Sequence, residues 1–280
     1  GINCMDLIFF DLDGALLNKF SQISSFTKET LALLGEKDIA FTVATGRTMH
    51  SAQFVLEGQS FLLPHIYNNG VAIWDPSGNA LTLENLLAPS EVNLIIEHAV
   101  KNNITPFINT VNMDSPNHEH VIYHSTPKYQ VERDLIEKYF SRTKAKLDTI
   151  ESLPATAHIT NISMIGEAAL VYDMYQQLNM HDELIAYSGP AIEGDEYRWM
   201  DVHHKLASKG SAVELLRNQL GASNVICFGD SDNDLSMFEL ADEAYAPSNA
   251  KPYIKDAATS VIGHHDEDGI ARFLRERFSL

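Results

Sequence analysis

The 280-residue sequence has only two cysteines, a minority of positive charge and no long apolar run. Cys4 and Cys227 cannot build a disulfide framework, and no C-x-x-C spacing is present, so a stapled secreted module is not expected. No stretch approaches 18 apolar residues, the length a membrane-spanning helix needs, and the first residues do not run from a basic segment into an apolar one as a signal peptide would. Met5 can serve as an initiator, and a reduced, cytoplasmic setting is expected. Lys and Arg total 20 against 38 Asp and Glu, a net charge of −18, which repels phosphate backbones and anionic membranes. Neither nucleic acid nor a membrane is an expected partner. No G-x-x-x-x-G-K-[ST] loop exists, which argues against a Walker-type nucleotide enzyme. The closest histidine pairs among the 12, His118/His120, His203/His204 and His264/His265, lack zinc-site spacing.

What is present is an ordinary folding sequence, 45% hydrophobic and 21% charged, long enough for one large domain or two. Leu7–Asp11, Ile39–Thr45 and His65–Asn68 are short apolar runs that read as buried parallel strands, with helices over 27–37 and 48–56 between them. Near residue 75 the texture changes. Asp75-Pro-Ser-Gly-Asn79 marks a turn, and strands at 105–110, 119–124, 158–165, 184–187 and 197–202 alternate as in a sheet with one wetted face. Helices are expected at 90–102, 128–140 and 167–178. From Lys209 the first texture returns, with an amphipathic helix over 211–220 and a buried strand at Asn224–Phe228. The expectation is a split α/β core of about 1–80 and 203–280, interrupted by an α+β insert of about 81–202.

Three polar clusters fall just beyond expected core strands: Asp11/Asp13, Thr45-Gly46-Arg47, and Asp230/Asp232/Asn233/Asp234. Open α/β sheets bind ligands at that edge, so clusters from opposite ends of the chain can converge there. Gathered carboxylates repel one another, and a divalent cation with hard oxygen ligands, Mg²⁺ in particular, removes the penalty. The bland alternative is that each acid caps a helix or shapes a turn.

Four ordered motifs carry a family likeness: FFDLDGALL with Asp11 and Asp13, TVATGRT with Thr45, SKGSAVELL with Lys209, and CFGDSDNDLSMF with Asp230, Asn233 and Asp234. The sequence resembles the haloacid dehalogenase superfamily of phosphohydrolases, in its Cof-type branch with a large α+β cap. Asn68-Asn-Gly70 looks like the turn of that branch, with Val71 in place of its usual Ala. The resemblance implies a Rossmann-like parallel-sheet core, a small phosphorylated metabolite as substrate and Mg²⁺ as cofactor. It implies Asp11 as nucleophile and Asp13 as general acid and base, the latter's proton retained by a crowd of neighbouring carboxylates. Thr45, Gly46, Lys209 and Asn233 would bind the phosphoryl group. Asp11, the backbone carbonyl of Asp13 and Asp230 would hold the metal, with Asp234 on metal-bound water or on Lys209. One departure is Ala15, where the family usually has Thr; losing one supporting hydrogen bond costs about 0.5–1.5 kcal/mol. A phosphomutase of the same superfamily, or a receiver-like phosphate-binding module, are the competing readings. Oligomeric state is not encoded in any motif.

Overall fold

The computed structural model describes residues 5–192 and 194–280, so Cys4 lies outside the described residues. The chain divides into two compact units, one formed by the residues up to Thr82 with Ser208–Leu280, the other by Leu83–Ala207.

The first unit is built on a five-stranded sheet. Asp6–Phe10 lies at its heart, flanked by Ala40–Val43 on one side and Asn224–Phe228 on the other, with Glu243–Pro247 and Ser260–Ile262 beyond. All these pairs are parallel. A parallel strand covered on both faces must be apolar throughout, and Leu7, Ile8, Phe9 and Phe10 are fully buried, as are Val225, Ile226, Cys227 and Phe228. Helices Ser25–Glu36, Met49–Leu56 and Lys209–Leu220 each start on a hydroxyl cap: Ser24, Thr48 and Ser208 accept from the backbone N–H three residues on. Lys209–Leu220 ends at Gly221, whose φ of 70° closes the helix in the left-handed region. Strand order reverses between Asp6–Phe10 and Asn224–Phe228, which opens the crevice at the carboxyl ends of these strands.

The third expected core strand forms as His65–Tyr67 but joins the main sheet through an isolated parallel bridge, Ala44 to Ile66, rather than a full ladder. Its pairing partner is antiparallel, Ala72–Asp75, because the Asn68–Gly70 turn reverses the chain at once.

The second unit is a six-stranded sheet in the order 184–191, 194–204, 158–167, 107–112, 119–124, 146–149. It is antiparallel except for its last pair. One face packs on helices Pro89–Lys101 and Ala168–Asn179 through Ile95, Ile104, Ile108, Ile162, Val171, Leu178 and Val202. The mixed α/β architecture expected from sequence is what the chain adopts. Among the described residues, no helix is long and apolar enough to cross a membrane.

Candidate active site

Asp11 follows the central strand; its N–H continues the sheet by donating to the Phe228 carbonyl at 2.9 Å, which fixes where its side chain emerges. The chain then turns tightly over Leu12–Leu16, with the Leu16 and Leu17 N–H groups donating to the Asp11 and Leu12 carbonyls. Gly14 is required here: its φ is +72°, and a methyl group would lie 2.0 Å from an Asp230 carboxylate oxygen. The hydroxyl missing at Ala15 leaves a turn held from elsewhere. The Asn249 side-chain amide donates to the Gly14 carbonyl at 2.9 Å, and Asn249 in turn accepts from the His265 N–H at 3.0 Å.

Lys209 is the first residue of its helix, and its side chain is wholly buried. Its ammonium donates to Asp11 at 2.8 Å and to Asp234 at 2.7 Å. Burial alone would lower its pKa, but the two carboxylates prevail and raise it, so the ammonium stays charged. Asp234 spends its other oxygen on the Asp230 and Ser231 N–H groups, at 2.9 and 3.0 Å. It is therefore a brace for the loop and the lysine. Gly229 makes room for it, since a methyl group there would lie 2.4 Å from the Asp234 carboxyl carbon.

Asp11, Asp230 and Asp234 each bring a carboxylate oxygen within 4.8 Å of the others. Three acids with one ammonium leave two negative charges uncompensated. Burial, then Asp234, push the Asp11 carboxyl well up against the pull of Lys209. Burial and Asp234 likewise push Asp230 up to about 6. One buried oxygen of Asp230 has no hydrogen-bond donor among the described residues. An orphaned carboxylate oxygen beside two surplus charges fits a divalent cation, and Asp11, Asp230 and Asp234 are the grouped residues that could hold it.

Asp13 stands apart from this cluster. The carboxylate crowd expected around it gathers on Asp11 instead. The Asp13 side chain is exposed and forms a forked pair with Arg47, both bonds 2.7 Å. Arg47 also donates to the Ser51 hydroxyl at 3.0 Å, and its N–H donates to the Thr45 hydroxyl at 3.0 Å. Thr45 is buried and Gly46 exposed beside it. Asn233 donates from its side-chain amide to Asn69 at 2.9 Å. The Asn69 and Asn249 contacts escaped the sequence reading. Asn69 had a signal, an Asn-Asn-Gly run suited to left-handed backbone. Asn249 had none, being 235 residues from the carbonyl it supports.

The first unit thus carries a parallel sheet with a buried lysine among acids at its switch point. Residues 8–274 match the haloacid dehalogenase-like hydrolase family, and the chain belongs to that family. A Bacillus subtilis relative, 5-amino-6-(5-phospho-D-ribitylamino)uracil phosphatase YwtE, is 27% identical over 98% of this chain and 99% of its own. A haloacid dehalogenase-like hydrolase from B. subtilis has a similar fold, with a TM-score of 0.78, 22% identity and coverage of 97% and 99% of the two chains. So does the subclass IIB sugar phosphatase BT4131, with a TM-score of 0.76, 20% identity and coverage of 98% and 99%.

Proposed function

We propose that this chain is a Mg²⁺-dependent phosphatase that hydrolyses small organic phosphate monoesters, sugar phosphates or related metabolites, through an aspartyl-phosphate on Asp11. That it is a phosphoric monoester hydrolase follows from its family and from phosphatase relatives that match it end to end. The observation that carries the mechanism is the wholly buried Lys209 ammonium between Asp11 and Asp234. It fixes the Asp11 carboxylate and sets a positive charge where phosphoryl oxygens gather charge.

An Asp11 oxygen attacks phosphorus, and the bond from phosphorus to the ester oxygen breaks. Asp13, once it has taken up a proton, would give it to the leaving alkoxide, and would then take one from the water that attacks phosphorus as the bond from phosphorus to the Asp11 oxygen breaks. Both Asp13 oxygens are engaged by Arg47, so this transfer requires a rotamer that frees one of them. The Thr45 hydroxyl, the Gly46 N–H and the Asn233 amide supply donors to the phosphoryl oxygens. Asp11, Asp230 and the Asp13 carbonyl would hold Mg²⁺, whose charge would offset that of the phosphoryl group, while Asp234 braces Lys209 and the loop behind. We assign residues 1–80 and 203–280 to the catalytic core and 81–202 to a cap that selects the leaving group.

The test is phosphate release from a panel of sugar phosphates, nucleotides and phosphorylated cofactor precursors. Release with Mg²⁺, silenced by EDTA and restored by Mg²⁺, is expected. No release from any ester, or equal release in EDTA, overturns the reading.

A further inference from the structure

Asn68, Asn69 and Gly70 have φ values of 50°, 52° and 95°, three left-handed residues in succession. L-residues avoid that region, and a run of it persists only where surrounding bonds dictate it. Here they do. Asn68 and Asn69 donate their N–H groups to the Arg47 and Thr45 carbonyls at 2.9 and 3.1 Å. A side chain at Gly70 would meet the Ser208 carbonyl at 2.4 Å, so the turn is wedged beneath the residue that precedes Lys209. The result brings the Asn69 side chain, 3% exposed, to the amide of Asn233. A methyl group on Gly46 would lie 3.2 Å from the Asn233 amide nitrogen and 3.3 Å from the Asn69 side-chain oxygen. Three segments of the site, around Gly46, Asn69 and Asn233, therefore meet at one point.

A carboxamide has a donor end and an acceptor end of nearly the same shape. For Asn233 to bind a phosphoryl group, an N–H must face it; reversed, its oxygen would repel the phosphoryl oxygens. We propose that Asn69 is a positioning residue that sets this choice: its side-chain oxygen takes one Asn233 N–H and thereby turns the other toward the phosphoryl group. The inference rests on the phosphatase reading and concerns how the site orients one of its donors.

Asn69→Gly tests it, because glycine accepts the left-handed backbone and removes only the carboxamide. The KM for a phosphomonoester and the inhibition constant for inorganic phosphate both rise about three- to tenfold, as for the loss of one oriented hydrogen bond. The thermal midpoint stays near that of the wild type. In an Asn233→Ala background the same change has no further effect on phosphate inhibition, since nothing is left to orient. Unchanged phosphate inhibition in Asn69→Gly, or an equal additional loss in the Asn233→Ala background, overturns the proposal. Should Asn69→Gly not fold, wild-type protein gives the answer by NMR: added phosphate shifts one of the two Asn233 amide hydrogens, and equal shifts of both overturn it. Wild-type protein that neither turns over esters nor binds phosphate overturns the phosphatase reading instead, before any Asn69 variant is made.

Discussion

Single residues here carry opposed demands of burial and charge. Asp11→Asn removes the attacking oxygen but keeps the shape, so turnover falls by on the order of 10³-fold or more. Circular dichroism should be unchanged, and full activity in phosphate release would remove the covalent route. Lys209→Met strands Asp11 and Asp234 as buried carboxylates. Breaking such a pair costs about 3–5 kcal/mol, measured by urea unfolding in EDTA; a cost under about 1 kcal/mol would mean the ammonium is not held as described. His203 belongs to the long strand Gly194–His204, and burial pushes its pKa down to about 3. An unfolded histidine titrates near about 6.5, so between these values the unfolded chain binds a proton that the folded one refuses. The stability this neutral ring contributes is complete above about pH 6.5 and is lost as pH falls toward about 3. Against His203→Asn, the wild-type stability should decline more steeply over that window; parallel curves would contradict the assignment.

At the scale of elements, helices meet where a side chain is missing. A methyl group on Gly210 would lie 2.5 Å from the Ser236 carbonyl, so Lys209–Leu220 and Leu235–Leu240 touch backbone to backbone there. Gly210→Ala forces them apart at a cost of about 1–3 kcal/mol and displaces Lys209 with them. A methyl group on Gly35, within Ser25–Glu36, would meet nothing within 4 Å beyond its own helix among the described residues. Gly35→Ala should instead stabilise by about 0.5–1 kcal/mol, and thermal unfolding of the pair separates packing from propensity. The elements that sequence foretold best are those with one dominant signal. Asn224–Phe228 carries an unbroken apolar run from Val225 to Phe228, closed by Gly229, and it forms as expected. The helix expected over 211–220 starts two residues earlier, at Lys209, where the Ser208 cap allows it. Lys146–Thr149 escaped notice because an edge strand with Leu147 as its sole apolar residue has no pattern to read. The hairpin Leu184–Ala191/Gly194–His204 is longer than expected because Gly189 and Pro190 look like breakers. Gly189 is there to admit Trp199 across the pair, whose ring a methyl group would meet at 2.9 Å. The expected helix 128–140 holds α geometry only over Gln130–Asp134 and widens after it. The acids and lysine of the site could be read from motifs because they sit at strand ends and helix starts. The Asn69–Asn233 bond, 164 residues apart in sequence, follows from the tertiary turn alone.

For the whole molecule, a cation held by these acids would act within one unit. Asp11, Asp230 and Lys209 all belong to the unit that contains the parallel sheet. A ligand that binds only the folded state stabilises what it binds. Mg²⁺ should therefore slow amide exchange in 6–16 and 224–234 and leave 107–112 and 158–167 unchanged; uniform slowing, or none, would contradict a metal centre confined to these acids.

The central strand also sets an order of events during synthesis. Ile8 is paired on one side with Phe41, which leaves the ribosome soon after it, and on the other with Ile226, which leaves some two hundred residues later. Until then the nascent chain has an open sheet edge, and Asp11 has neither its lysine nor its partner acids. The intervening segment, continuous in sequence and with an apolar core of its own, can fold while that edge waits. The lysine and the partner acids of the cluster all lie in the last third of the chain, so a chain stalled before it would lack them.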